Sequence, residues 1–165
     1  MDLDQIEFKK IIVFLSSENF HIDKDFIPKS IGDGQSNPTF LIKDERKNYR
    51  VLRTQPIGDL ARGAHRVDRE YSVLMALSKK GFECPKPFAL CNDPELIGRM
   101  FYVMDFEEGD INFDPFLKNE NFENKQKIYK SLAEVLGRLH GYNIDELGLS
   151  FKKNQGFMKR DLSLW

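Results

Sequence analysis

Apolar residues recur at helical spacing near the start of the chain. Leu3, Ile6, Lys10 and Phe14 fall near one stripe of a helix running from about Leu3 to Ser16, and Ile11, Ile12 and Leu15 widen it. Ser17 to Asp25 is polar and turn-like, and then the period changes. Phe26-Ile27-Pro28 leads into Ser30-Ile31 and a glycine-containing run, Gly32 to Pro38. Two β-branched and aromatic runs follow, Thr39 to Lys43 and Tyr49 to Thr54, and the polar tetrad Glu45-Arg46-Lys47-Asn48 between them is hairpin punctuation. Beyond Pro56 and Gly58 the helical period returns over His65 to Lys79, with Val67, Tyr71, Leu74, Met75 and Ser78 on the apolar stripe. Lys79-Lys80-Gly81 suits a helix end, because positive charge complements the dipole and glycine takes a left-handed cap. Pro85 and Pro87 restart the chain as an extended segment, Phe88 to Cys91, which Asn92-Asp93-Pro94 turns. Met100 to Phe106 is a further strand candidate. Phe122 to His140 predicts a long helix with Ile128, Leu132, Val135, Leu136 and Leu139 on one face, and Gln155 to Leu164 is a candidate for another.

A helix, then strands with one helix among them, then helices is an α+β order. Short hairpin connections make the sheet mainly antiparallel. The acidic run Glu107-Glu108-Gly109-Asp110 marks the natural boundary. The 165 residues suit one ordinary domain or one and a fraction, and 41% hydrophobic content supplies a sizeable core. A net charge of -1, from 25 basic and 26 acidic residues, argues against a dedicated nucleic-acid binder. The longest aliphatic-aromatic run, Ile11 to Leu15, is far too short to span a bilayer, so no membrane partner is expected. Met1 to Glu7 is acidic and lacks the basic start of a secretory signal. Cys84 and Cys91 do not make a disulfide scaffold, so a reducing, cytoplasmic setting is expected.

Few residues suggest chemistry. In Gly32-Asp33-Gly34-Gln35-Ser36-Asn37 the glycines let backbone come close to a ligand. Ser36, Asn37 and backbone N–H groups could then bond a polyphosphate lying over the hairpin. Equally, Asp-Gly is a standard hairpin turn. Arg53, near the end of a strand, can hold phosphate oxygens while Glu70 on the next helix fixes its position; the alternative is a surface arginine and a solvated glutamate. His140-Gly141-Tyr142 has the outline of a catalytic His-Gly-Asp loop, but a tyrosine stands where the base carboxylate belongs. A helix end capped by Gly141 is the simpler reading. His21, His65 and His140 lie far apart, and no His/Cys spacing resembles a zinc site. Asp105, Glu107, Glu108, Asp110 and Asp114 could attract a cation, although such a run is commonly a solvated linker.

Several strings together resemble a known family. Gly34 to Ile42 (GQSNPTFLI) is followed by Tyr49-Arg50-Val51-Leu52-Arg53, then Ala64 to Tyr71 (AHRVDREY), Pro85-Lys86-Pro87, and Phe101 to Gly109 (FYVMDFEEG). In this order and spacing they resemble the N-terminal part of the aminoglycoside phosphotransferase superfamily. The branch is like the kinase-like domain of certain acyl-CoA dehydrogenase family proteins. The resemblance covers about Phe26 to Trp165. It implies a protein-kinase-like fold: a five-stranded, mainly antiparallel nucleotide-binding lobe over residues 1–106, then a linker and the beginning of a helical lobe over 107–165. It places Gly34, Gln35, Ser36 and Asn37 above the ATP phosphates. It puts Arg53 at the position of a phosphate-binding lysine, with Glu70 as its helical partner. Met104, Asp105 and Phe106 become the hinge beside the adenine.

The resemblance implies ATP and Mg²⁺ as cofactors and a small-molecule hydroxyl, of hydroxyacyl-CoA type, as acceptor. The family's His-Gly-Asp loop and its later metal-binding aspartate do not occur in these 165 residues, so no catalytic or metal-ligating residue is assigned. The expectation is an inactive fragment, with a C-terminal half encoded separately as its partner. The alternative is a non-catalytic module that binds a nucleotide or a partner.

Overall fold

The computed structural model describes residues 3–32, 37–58 and 64–149. The possible helix from Gln155 to Leu164 lies outside them, as do Gly34, Gln35 and Ser36. The chain divides into two compact units, Met1–Gly109 and Asp110–Trp165.

The first unit opens with α1 (Gln5–Ser17). Asp4 caps it by accepting from the Glu7 N–H at 2.7 Å, and Glu7 reaches back to the Asp4 N–H, a reciprocal capping box. At its end Asn19 takes φ 59°, and the Phe20 N–H turns back to the Leu15 carbonyl at 2.8 Å. The strands β1 (Lys29–Ser30), β2 (Thr39–Lys43), β3 (Tyr49–Thr54), β4 (Pro87–Cys91) and β5 (Phe101–Asp105) form one sheet in the order β1-β2-β3-β5-β4, with every neighbouring pair antiparallel. Helix α2 (Val67–Lys79) sits between β3 and β4 in sequence. Gly81, at φ +75°, closes it: the Gly81 N–H bonds the Ser78 carbonyl and the Phe82 N–H bonds the Leu77 carbonyl.

Alternation gives the sheet two different faces. Phe40, Ile42, Leu52, Ala89, Cys91, Phe101 and Val103 join Phe8, Ile11 and Leu15 of α1 in one apolar core. Ile6 is 70% exposed, so the buried stripe of α1 runs Phe8-Ile11-Leu15 rather than through Ile6 and Lys10. The opposite face carries Thr39, Val51, Arg53, Tyr102 and Met104, and α2 packs along its β4–β5 side. Tyr71 of α2 meets Tyr102 edge-on, with ring centroids 6.0 Å apart.

In the second unit, α3 (Phe122–His140) is capped by Asn121, which accepts from the Asn124 N–H at 2.8 Å. Its apolar stripe is present, but none of its residues is buried among the described residues; Leu132, Leu136 and Leu139 are all exposed. Gly141 caps the helix in the right-handed region, at φ -71°, not in the left-handed form the usual glycine cap adopts.

Candidate functional site

The register of the sheet puts Thr39, Arg53 and Tyr102 in one row. Arg53 of β3 pairs with Thr39 of β2 on one side and with Tyr102 of β5 on the other. All three side chains project from the face opposite the α1 core. The first turn of α2 brings Glu70 over this row.

Arg53 donates from Nε to Glu70 Oε2 at 2.7 Å and from Nη1 to Thr39 Oγ1 at 2.8 Å. The Thr39 hydroxyl in turn donates to the Asn37 carbonyl at 3.0 Å, and Asn37 Nδ2 donates to Glu70 Oε1 at 2.8 Å. Asn37, Glu70, Arg53 and Thr39 therefore close a ring of hydrogen bonds. Tyr102 adds a branch, its hydroxyl donating to Glu70 Oε2 at 3.1 Å. Burial and the adjacent Glu70 charge both push the Tyr102 phenol up, so it remains a donor.

His65 forms the second branch, with Nδ1 3.0 Å from Asn37 Oδ1. Since the Asn37 amide nitrogen faces the Glu70 carboxylate, its oxygen faces His65, and the contact requires a proton on Nδ1. His65 itself is held in the left-handed region at φ 53°, a conformation unfavourable for a residue with a Cβ. Gln55 secures it: Nε2 donates to the His65 carbonyl at 3.0 Å, while Oε1 accepts from the Met100 N–H at 3.1 Å.

A guanidinium has five N–H donors in a planar fork. The two bonds above engage one on Nε and one on Nη1. Nη2 makes no hydrogen bond among the described residues, and the side chain is 26% exposed. Arg53, Glu70, Val73, Leu74, Tyr102 and Met104 line a cavity of about 560 Å³. The arrangement thus offers a fixed cation with open donors at the edge of an apolar recess, a combination that suits phosphate or carboxylate oxygens on a ligand with an apolar part.

The structure brings Asn37, Arg53, Glu70 and Met104 to this face. Asn37 is buried, with one side-chain N–H on Glu70 and its side-chain oxygen on His65. Met104 and Asp105 end β5. The Asp105 carboxylate lies on the α1 side, bound by Arg50, and its N–H donates to the Lys86 carbonyl at 2.9 Å. Phe106 follows the strand, meets Tyr49 edge-on at 6.0 Å, and has no backbone hydrogen bond among the described residues. No group of three or more His, Cys, Asp or Glu among the described residues has the geometry to hold a metal ion. No helix among them is long and apolar enough to cross a membrane.

Sequence reasoning missed Thr39, Tyr102, His65 and Gln55. The alternation of β2 and β3 does put Thr39 on the face of Arg53. Tyr102 required the β3–β5 register, and His65 and Gln55 required the folded connection into α2.

Known proteins share this framework. A crystal structure from Ralstonia eutropha, assigned as an aminoglycoside phosphotransferase, aligns with a TM-score of 0.69 and 26% identity, covering 96% of this chain and 45% of that one. The probable acyl-CoA dehydrogenase IBR3 of Arabidopsis thaliana is 42% identical over 146 residues, 85% of this chain and 18% of the relative. Acyl-CoA dehydrogenase family member 11 of Rattus norvegicus is 41% identical over 133 residues, 80% of this chain and 17% of the relative. The chain therefore spans under a fifth of these curated relatives. The family model described as the phosphotransferase enzyme family matches residues 28–165. With that match over most of its length, and with an α+β kinase-like fold that aligns with a phosphotransferase structure, this chain is a member of the phosphotransferase enzyme family.

Proposed function

We propose that this chain supplies the nucleotide-holding lobe of an ATP-dependent phosphotransferase. In its complete form that enzyme transfers the γ-phosphate to a hydroxyl on a small molecule of hydroxyacyl-CoA type. The observation that carries the reading is Arg53, fixed by Glu70 and Thr39, with Nη2 making no hydrogen bond among the described residues on the recessed face. A bound ATP would place phosphate oxygens at Arg53, under the loop from Gly34 to Asn37, and its base beside Met104, Asp105 and Phe106. The donor set fits the nucleotide: a planar cation for the phosphates, an apolar recess, and a chain segment at Phe106 whose backbone has no hydrogen bond among the described residues.

The same set does not fit Mg²⁺, because the described residues contain no cluster of ligands for it. Phosphoryl transfer depends on positioning and charge stabilisation by metal carboxylates and a base. The reading therefore assigns binding, and not transfer, to these 165 residues.

Calorimetric titration of the chain with a non-hydrolysable ATP analogue tests this. Binding weakened about tenfold to a hundredfold by Arg53→Ala is the expected result, the loss of charge-assisted bonds to phosphate. Absence of binding by the unaltered chain, or binding indifferent to Arg53→Ala, overturns the proposal. An assay of γ-phosphate transfer by the same chain separates a binding module from an enzyme: transfer would show that the residues here suffice for catalysis.

A further inference from the structure

The ring of hydrogen bonds around Glu70 gives Asn37 a different task from the one its position in the loop suggests. We infer that Asn37 is a positioning residue: from its place just before β2 it braces the Arg53–Glu70 pair, and His65 orients its amide. The inference deepens the nucleotide reading above and rests on it only for the purpose the coupling serves.

Three observations carry it. The Asn37 side chain is nearly buried and aimed away from solvent, with its donor on Glu70 Oε1 and its acceptor on His65 Nδ1. At 5% exposure, with one amide N–H on Glu70 and its oxygen on His65, the side chain presents little surface to a ligand. Its carbonyl, in addition, accepts from Thr39, whose hydroxyl accepts from Arg53. Asn37 thus touches both sides of the ion pair, through Glu70 directly and through Thr39 to Arg53. Finally, His65 adopts a left-handed backbone conformation that costs free energy, and Gln55 holds it there. The outcome of that conformation is an Nδ1–H directed at Asn37. A displacement of the loop at Asn37 would pull one donor from Glu70 and loosen the carboxylate that orients the Arg53 fork.

His65 acts in the same direction in either charge state. Neutral imidazole protonated on Nδ1 and the imidazolium both donate to Asn37 Oδ1.

The test has two arms on the full chain. In the first, solvent exchange of the Arg53 Nε–H is followed by nitrogen-15 NMR without any nucleotide. Asn37→Ala is expected to accelerate that exchange about tenfold, as one hydrogen bond to a charged group is lost. His65→Leu is expected to accelerate it less, and His65→Asn, which retains an N–H donor at the place of Nδ1, to recover part of the protection. In the second arm, the affinities for ATP and for adenosine are compared. Asn37→Ala is expected to weaken ATP about tenfold and to leave adenosine unchanged, because the defect lies at the phosphates.

Unchanged Arg53 Nε–H exchange in both Asn37→Ala and His65→Leu overturns the inference. So does equal weakening of ATP and adenosine, which would mark a general disturbance of the lobe. If Asn37→Ala does not fold, the His65 pair of variants decides the first arm. Failure of the unaltered chain to bind ATP overturns the nucleotide reading alone, since the exchange arm needs no ligand.

Discussion

Two arginines on β3, three positions apart, stand on opposite faces of the same sheet and are treated in opposite ways. Arg50, on the α1 side, is surrounded by carboxylates. Its Nε and Nη2 reach Asp44 Oδ2 at 3.1 and 2.9 Å, its Nη1 binds Asp105, and its guanidinium carbon lies 4.9 Å from the centre of the Phe88 ring. Arg53, on the α2 side, has a single carboxylate, which it shares with Asn37 and Tyr102. Arg50 is over-matched in charge, with all three guanidinium nitrogens engaged; Arg53 Nη2, beside a recess, makes no hydrogen bond among the described residues. The contrast teaches that the residue type does not mark the site. A structural arginine is one whose donors the protein satisfies, and a binding arginine is one that the protein orients but leaves unfinished.

Adjacent substitutions in β3 test how sharply the faces differ. Leu52 is fully buried in the α1 core, so Leu52→Ala should cost about 3 kcal/mol in urea unfolding, the transfer free energy plus a cavity. Arg53→Ala, the next residue, should cost under about 1 kcal/mol, because the pair is partly exposed and Glu70 keeps two other donors. Comparable losses from the two would break the division into a stability face and a binding face.

Arg50→Ala comes next in size. It leaves Asp44, whose side chain is 9% exposed, with only its two bonds from Asn48, and it frees Asp105 from its cation. A loss of about 2 kcal/mol is expected. A loss as small as that for Arg53→Ala would show that Arg50 is no better matched than its neighbour.

Much of this organisation was legible before the fold was known. The runs Thr39 to Lys43, Tyr49 to Thr54 and Phe122 to His140 coincide with β2, β3 and α3, because each has an unbroken period bounded by turn or capping residues. Arg53 and Glu70 were legible as a pair through their placement on a strand and the following helix. The buried stripe of α1 was not, because Ile6 and Phe8 are both apolar and periodicity cannot say which of two overlapping stripes meets the sheet. Nor was the ring: Tyr102 reaches Glu70 only because β5 pairs with β3, a non-local contact, and His65 looks like an isolated histidine until the turn before α2 gives it a positive φ. The sense in which Asn37 points is likewise a tertiary fact. A glycine-containing loop with an asparagine reads equally well as a ligand contact or as an anchor.

The smallest expected effect concerns acid. Burial opposes ionisation of Asp44, but the bonds it accepts from Asn48 and Arg50 together outweigh burial and hold its carboxyl below the usual aspartate value. A carboxyl depressed in the folded state binds fewer protons there than in the unfolded chain. Its contribution is therefore fully present above the unfolded value of about 3.9, and is lost as pH falls through the folded one. Urea unfolding repeated from neutral pH down to about pH 3 should show stability declining with acid in the unaltered chain. In Asp44→Asn the decline should be shallower but not abolished, because Asp23 and Asp68 are also held below their ordinary values, by Lys47 and Arg66 respectively. Identical slopes would mean that Asn48 and Arg50 together do not hold Asp44 in its ionised form. The reading of Arg50 as the satisfied member of the pair would then lose its electrostatic basis, and only the packing on Phe88 would distinguish it from Arg53.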